Sequence, residues 1–215
     1  MDAFYFYKIA KEKKMKKIVV LTGAGISAES GIKTFRDADG LWEGHDIMEV
    51  ASPIGWKKNP ELVLDFYNKR RAQLLTVKPN KAHEILSELE EHFDIHIITQ
   101  NVDDLHERAG STNVLHLHGE LRKSRSSKNP NLITDCNQDI KLGDLASDGN
   151  QLRPHIVWFG EAVTEIEKAI AITQSADLFV IVGTSMVVHP AASLLLAVPV
   201  DVQTVYIDTN PDVEE

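Results

Sequence analysis

The 215-residue chain is 43% hydrophobic and 26% charged, enough apolar matter to bury a core without disulfides or obligate assembly. Its 23 Lys and Arg against 32 Asp and Glu leave a net charge of -9, which disfavours nonspecific binding to nucleic acid or an anionic membrane and favours basic protein tails. The single cysteine, Cys136, excludes an internal disulfide framework and suits a reducing compartment. No run approaches the ~18 apolar residues needed to cross a bilayer, so a cytoplasmic monomer is expected.

Residues 1–17 combine Phe4, Tyr5, Phe6 and Tyr7 with a lysine cluster but lack the apolar stretch and cleavage site of a signal peptide. A start at Met15 would lead straight into the first strand. Apolar runs, most of them rich in β-branched residues, predict strands over 18–21, 95–98, 114–117, 156–158, 178–182 and 202–207. Apolar residues three and four apart predict helices over 60–75, 81–92, 102–109 and 164–174. The alternation predicts an α/β fold, a Rossmann-like parallel sheet with helices on both faces.

After the first predicted strand comes Gly23-Ala24-Gly25-Ile26-Ser27-Ala28-Glu29-Ser30-Gly31. Gly23 and Gly25 predict a tight turn with close backbone approach to a pyrophosphate, Ala28 is small enough for the new helix to pack on the sheet, and that helix offers free N–H groups to an anion. Glycine and alanine at these offsets also occur in turns that bind nothing. The segment continues with Ile32-Lys33-Thr34-Phe35-Arg36-Asp37, and further on come Thr99-Gln100-Asn101-Val102-Asp103, His118-Gly119-Glu120, Phe159-Gly160-Glu161 and Gly183-Thr184-Ser185. In this order the set resembles the sirtuins, NAD-consuming protein lysine deacylases, over residues 18–211.

The resemblance implies one catalytic unit over 1–215. Its Rossmann-like core would take in about 16–36, 76–120 and 154–211, its small lobe about 37–75 and 121–153, with 1–15 as an extension. Most sirtuins carry two Cys-x-x-Cys pairs in the second part of that lobe, because structural zinc wants four soft ligands. Here only Cys136 stands there, with His116, His118 and His155 nearby, so no zinc and no zinc ribbon are expected. This polar segment would then be held by its own packing and be mobile. Sirtuins also usually continue past the position of Asn210 with a strand and helix that cover the adenine side. The short end here implies either a truncated chain or weaker NAD binding.

By resemblance, His118 is the catalytic base. Its imidazole suits the task because its pKa lies near working pH. In the family the acyl oxygen of a modified lysine attacks the nicotinamide ribose and expels nicotinamide. The histidine then takes a proton from the ribose hydroxyls, and the acyl group leaves on ADP-ribose. The alternation of residues 114–119 puts His116 and His118 on one face of a strand, and His116 reads as structural.

Gln100, Asn101 and Asp103 follow a predicted strand at the carboxyl edge, where ligands bind in open α/β sheets. The family implies that Gln100 and Asn101 contact the nicotinamide ribose region and Asp103 the carboxamide. An Asn-x-Asp after a strand is also an ordinary helix cap, and Asn101 could do both. Phe35 shields the ribose and Arg36 holds the cofactor in the same reading. Gly183, Thr184, Ser185 and Asn210 match positions around the NAD ribose and phosphate. Ala24, Ile26, Ser27, Glu29, Thr34, Trp42 and Val102 complete the implied cofactor set. Val157, Trp158, Phe159, Gly160 and Glu161, with Val187, match the segments between which an acylated lysine peptide docks as an added strand. One of Trp158 and Phe159 is expected to be a core aromatic.

Tyr67 and Arg70 lie three apart on one face of the helix predicted over 60–75. They resemble the Tyr-x-x-Arg pair of desuccinylase-like sirtuins, which binds the carboxylate of succinyl- or malonyl-lysine. Without that resemblance, Arg70 is one of three consecutive cations on a solvated face and Tyr67 a half-buried aromatic. The sequence therefore predicts an NAD-dependent deacylase that removes acidic acyl groups and also acetyl. A plain deacetylase, or an NAD-hydrolysing or ADP-ribosylating relative, is the alternative. The residues around Gln100 and His118 argue against an ordinary Rossmann oxidoreductase.

Overall fold

The computed structural model describes residues 15–33, 41–42 and 44–209, without the side chains of Leu41 and Trp42. The expected extension before Met15, and Thr34, Phe35, Arg36 and Asn210, lie outside them. Strand β1 (Lys17–Thr22) is followed by a 3-10 helix at Ala24–Ser30, a two-residue hairpin of β2 (Leu41–Trp42) and β3 (His45–Asp46), and helices at Ile47–Val50, Pro53–Lys58, Pro60–Leu74 and Lys81–Glu88. Next come β4 (Asp94–Thr99), the helix Leu105–Ala109, β5 (Val114–His116), β6 (Gly119–Ser126), β7 (Ile133–Asp135) and β8 (Leu152–Ile156). The helix Ile166–Gln174, β9 (Leu178–Val182), a 3-10 helix at Ala191–Ala197 and β10 (Thr204–Ile207) end the described chain.

The main sheet has the order β10-β9-β1-β4-β5, and every pairing in it is parallel. Alternating side chains of β1 fill two cores, because successive residues of a strand face opposite sides. Val19 and Leu21 pack with Phe179, Ile181 and Leu194 on one face. Ile18 and Val20 pack with Ile95, Ile97 and Leu86 on the other. The expected helices over 60–75, 81–92, 102–109 and 164–174 are all present, most of them shorter than the periodicity suggests.

The strand expected over 156–158 ends instead at Ile156 and belongs to a second sheet, in the order β7-β6-β8. As an edge strand, β8 tolerates Pro154, whose missing N–H costs no pairing there. The same sheet occupies part of 121–153, where the sequence shows no periodicity. Hydropathy misses it because two of the buried positions on β6 are Ser124 and Ser126, with Ser124 hydrogen-bonded to Thr134 and Ser126 to Asp148.

This sheet is tied to the helix Pro60–Leu74 by polar side chains. Asn68 Nδ2 donates to the Ile140 carbonyl at 2.9 Å while its Oδ1 accepts from the Ile140 N–H at 3.0 Å. Arg71 Nε donates to Leu121 O at 2.7 Å and Nη1 to Gln138 O at 3.3 Å. The segment expected to be mobile is therefore anchored by side chains of its neighbour as well as by its own pairing. The Cys136 thiol donates to Gln138 O, and no group of three or more His, Cys, Asp or Glu side chains among the described residues is placed to hold a metal.

Candidate active site

The parallel register aligns Thr22 of β1 with Thr99 of β4 and Val182 of β9, so the three following loops leave the sheet at one edge. They are knitted together directly. Gly23 N donates to Val182 O at 3.1 Å, Gly25 N to Gly183 O at 2.8 Å and Gln100 N to Thr22 O at 2.9 Å. A Cβ on Gly23 would lie 2.6 Å from Thr184 Cβ, and one on Gly25 2.7 Å from Gly183 Cα. Within the structure itself these glycines are required by the approach of the neighbouring loop. Ala28 is exposed and lines the cavity, so the expected packing of Ala28 on the sheet is corrected: Ile26 and Ser27 are the buried members of that turn.

Asn101 is the bracket. Its Nδ2 donates to Gly23 O at 3.1 Å and Ser27 Oγ at 3.0 Å, Ser27 Oγ donates to Asp103 Oδ2 at 3.0 Å, and Asn101 N donates to Thr99 Oγ1 at 3.0 Å. Gln100 Nε2 reaches Thr184 Oγ1 at 2.9 Å. Asn101 does not cap the helix Leu105–Ala109: the N-cap position is Asp104, without a side-chain cap bond, and the preceding Asp103 Oδ1 accepts from Leu105 N at 3.2 Å. Burial raises the Asp103 carboxyl, against the opposing effect of the bonds it accepts from Leu105 and Ser27.

The two histidines hang from successive carbonyls of this loop. His118 Nδ1 lies 3.0 Å from Gln100 O and His116 Nδ1 3.0 Å from Asn101 O. A carbonyl can only accept, so Nδ1 carries the proton on each ring. In neutral His118 this leaves the Nε2 lone pair available, and burial lowers its pKa although the Gln100 carbonyl opposes the shift. His116 differs. Burial pulls it down, but Glu107, 2.7 Å from Nε2, outweighs burial and raises it. Gly119 follows because its φ is +84° and a Cβ there would meet His155 O at 2.1 Å.

A cavity of about 1240 Å³ lies above the sheet edge. It is lined by the expected Gly23, Ala24, Gly25, Ile26, Ser27, Glu29, Gln100, Asn101, Val102, Asp103, His118, Gly183, Thr184 and Ser185, and by Tyr67, Arg70, Val157, Trp158, Phe159, Gly160, Glu161 and Val187. Of Trp42 only the backbone, in β2, is described. Tyr67 is fully buried and Arg70 is 7% exposed, which replaces the solvated-face reading of this helix. Burial pushes the Tyr67 phenol up. The Tyr67 hydroxyl accepts from Trp158 Nε1 at 3.1 Å, and the Arg70 guanidinium lies 5.6 Å from the Phe66 ring. Trp158 is the core aromatic of its pair at 2% exposure, while Phe159 is 44% exposed. Glu161 is already engaged by Arg125, Arg153 and the Trp158 N–H.

Sequence reasoning passes over the supports beneath the cradle. Thr22 Oγ1 donates to Thr99 Oγ1 at 2.8 Å and sits 3.0 Å from His106 Nε2. The rings of His106 and His83 lie 4.9 Å apart, edge to face. Asn80 N donates to His83 Nδ1, while Asn80 Nδ2 donates to Ile26 O at 2.8 Å and Ser30 Oγ at 3.0 Å. The one available signal was an Asn directly before a helical pattern, a cap residue.

Strand ends converging on a glycine turn beside a cleft histidine define an α/β enzyme of the nucleotide-binding class. The chain belongs to the Sir2 family, whose model matches residues 23–190, as the sequence resemblance implies. A Helicobacter pylori protein named NAD-dependent protein deacylase is 66% identical over 90% of this chain and 85% of its own. A Sir2 homologue solved with NAD is 42% identical with a TM-score of 0.81, covering 98% of this chain and 84% of that one. A Sir2 solved with an acetylated peptide is 32% identical with a TM-score of 0.75, covering 96% and 86%.

Burial holds His83 and His106 neutral, lowering them to about 4 and about 3, against about 6.5 in the unfolded chain. The unfolded state therefore binds more protons below about pH 6.5, so stability from this pair is fully present above that pH and lost as pH falls toward those values. Urea midpoints are expected to drop between about pH 6.5 and 5, before carboxylates titrate. The drop should be shallower in His83→Gln, and equal slopes would remove the pair from this account.

Proposed function

We propose that this chain, an NAD-dependent protein deacylase of the Sir2 family, removes acidic acyl groups such as succinyl and malonyl from lysine in preference to acetyl. The observation that carries the preference is the burial of Arg70 and Tyr67 in the wall of the same cavity that His118 enters. A guanidinium and a phenol there form charge-assisted hydrogen bonds to a terminal carboxylate, whereas acetyl leaves both without that partner.

In this reading the turn of Gly23, Ala24, Gly25 and Ser27 would lie against the NAD phosphates beside Thr184 and Ser185, and Gln100, Asn101 and Asp103 against the nicotinamide riboside half, with Ile26, Glu29, Val102 and Gly183 completing the walls. In the same reading Thr34, Phe35, Arg36, Trp42 and Asn210 belong to the cofactor site. Bound NAD supplies an electrophilic ribose carbon and a nicotinamide leaving group. His118 takes the proton of a ribose hydroxyl on Nε2, because Gln100 O holds the other nitrogen protonated. Backbone pairing would fix the peptide between Val157, Phe159 and Gly160 on one side and Val187, 71% exposed, on the other.

His118→Tyr is expected to lose at least about 100-fold in turnover on any acyl peptide. Because burial lowers the His118 pKa, the acidic limb of the kcat/KM profile should fall below the ordinary histidine value of about 6.5, with activity lost as pH drops through it. A limb at or above that value would contradict the assignment. Arg70→Met is expected to lower the succinyl-to-acetyl ratio of kcat/KM by about 100-fold. A ratio unchanged in that variant would return Arg70 to a structural part. Nicotinamide release that needs no acyl peptide would favour NAD hydrolysis instead.

A further inference from the structure

Besides Arg70 and Arg71, a third buried guanidinium lies against Trp158, and neither the family motifs nor the cofactor site accounts for it. Arg153, on β8, is buried and stacks with its Cζ 3.2 Å from the centre of the Trp158 ring. Its fork grips Glu161 with Nη1 at 2.7 Å from Oε1 and Nη2 at 3.1 Å from Oε2. Glu161 in turn accepts the Trp158 backbone N–H at 2.9 Å, so the indole is held by its face and by its main chain. The edge of that indole donates from Nε1 to the Tyr67 hydroxyl.

Arg153 Nη2 also donates to the Ile156 carbonyl at 2.9 Å, so the guanidinium ties the end of β8 to the turn that carries Trp158 and Glu161. Arg153 Nε is buried without a hydrogen-bond partner among the described residues, and a buried guanidinium with an unpaired N–H is costly compared with an apolar side chain. Arg125 also binds Glu161, at 3.1 Å, so two guanidinium groups converge on a carboxylate that lines the cavity. Arg153 and Arg70 favour ionisation of the Tyr67 hydroxyl electrostatically, and Glu161 opposes them.

We propose that Arg153 is a specificity-determining positioning residue: clamped by Glu161 and stacked on Trp158, it fixes the indole that orients the Tyr67 hydroxyl toward an acyl carboxylate. The inference rests on the acidic-acyl reading above. Lysine cannot replace this arginine, because an ammonium has neither the planar face nor the fork.

The test measures kcat and KM on succinyl and acetyl peptides at saturating NAD, with melting curves for every protein. Arg153→Lys is expected to lower the succinyl-to-acetyl ratio of kcat/KM at least about fivefold, through the KM for the succinyl peptide, with the acetyl KM within about twofold of wild type. Trp158→Phe keeps an aromatic face but loses the Nε1–H, and should lower the same ratio. In a Tyr67→Phe background Arg153→Lys should change the ratio by less than about twofold, because the hydroxyl it orients is gone. If Arg153→Lys fails to fold, the Trp158→Phe ratio decides. An equal loss on both peptides, or a ratio unchanged in the folded variants while wild type prefers succinyl, overturns this inference alone. A wild type without preference for succinyl overturns the acidic-acyl reading and this inference with it.

Discussion

The buried amide of Asn101 is the constraint on which the rest of the site depends. Three loops leave three parallel strands at one edge, and each carries backbone groups that the sheet no longer satisfies. One side chain bridges the glycine turn, through Gly23 O and Ser27 Oγ, to the loop after β4, and the Thr22, Thr99 and Asn101 bonds close the arrangement from below. Such a network, with its members paired to one another, fixes donors before any ligand arrives, and a preorganised site pays less reorganisation on binding. The same loop supplies the carbonyls that orient His116 and His118, so the glycine turn and both imidazoles share one framework.

The second lobe completes the cleft by a different logic. Its sheet is fastened by Asn68 and Arg71, from the same helix that carries Tyr67 and Arg70 into the cavity wall. One helix thus anchors the lobe with two polar side chains and shapes the pocket with two others. Val63, Phe66, Tyr67 and Leu74 pack with Leu121, Ile156 and Trp158 into one core, which makes pocket shape and lobe position a single packing problem. A change in that core would move Tyr67 and Arg70 relative to His118.

Much of this was legible in the sequence. The β-branched runs gave five of the predicted main-sheet strands, since a strand buried on both faces reads as a continuous apolar stretch, and the glycine turn, Gln100, Asn101 and His118 stood at strand ends where such sheets bind ligands. What stayed hidden had no hydropathy signal. The small sheet buries Ser124 and Ser126, and β8 carries Arg153 and Pro154, so neither alternates in a way that a hydrophobic pattern detects. The supports Asn80, His83 and His106 look like ordinary helix residues until the fold stacks them under the cradle. Arg70 and Arg153 are charges that composition places on the surface, and only tertiary packing turns them inward.

The most direct measurement is a crystal structure of the chain with a succinyl-lysine peptide and a non-reacting NAD analogue. The account predicts the succinyl carboxylate within hydrogen-bond distance of both the Tyr67 hydroxyl and the Arg70 guanidinium, with His118 Nε2 facing the ribose hydroxyls. An acyl chain that turns its carboxylate to solvent, leaving Tyr67 and Arg70 untouched, would contradict it.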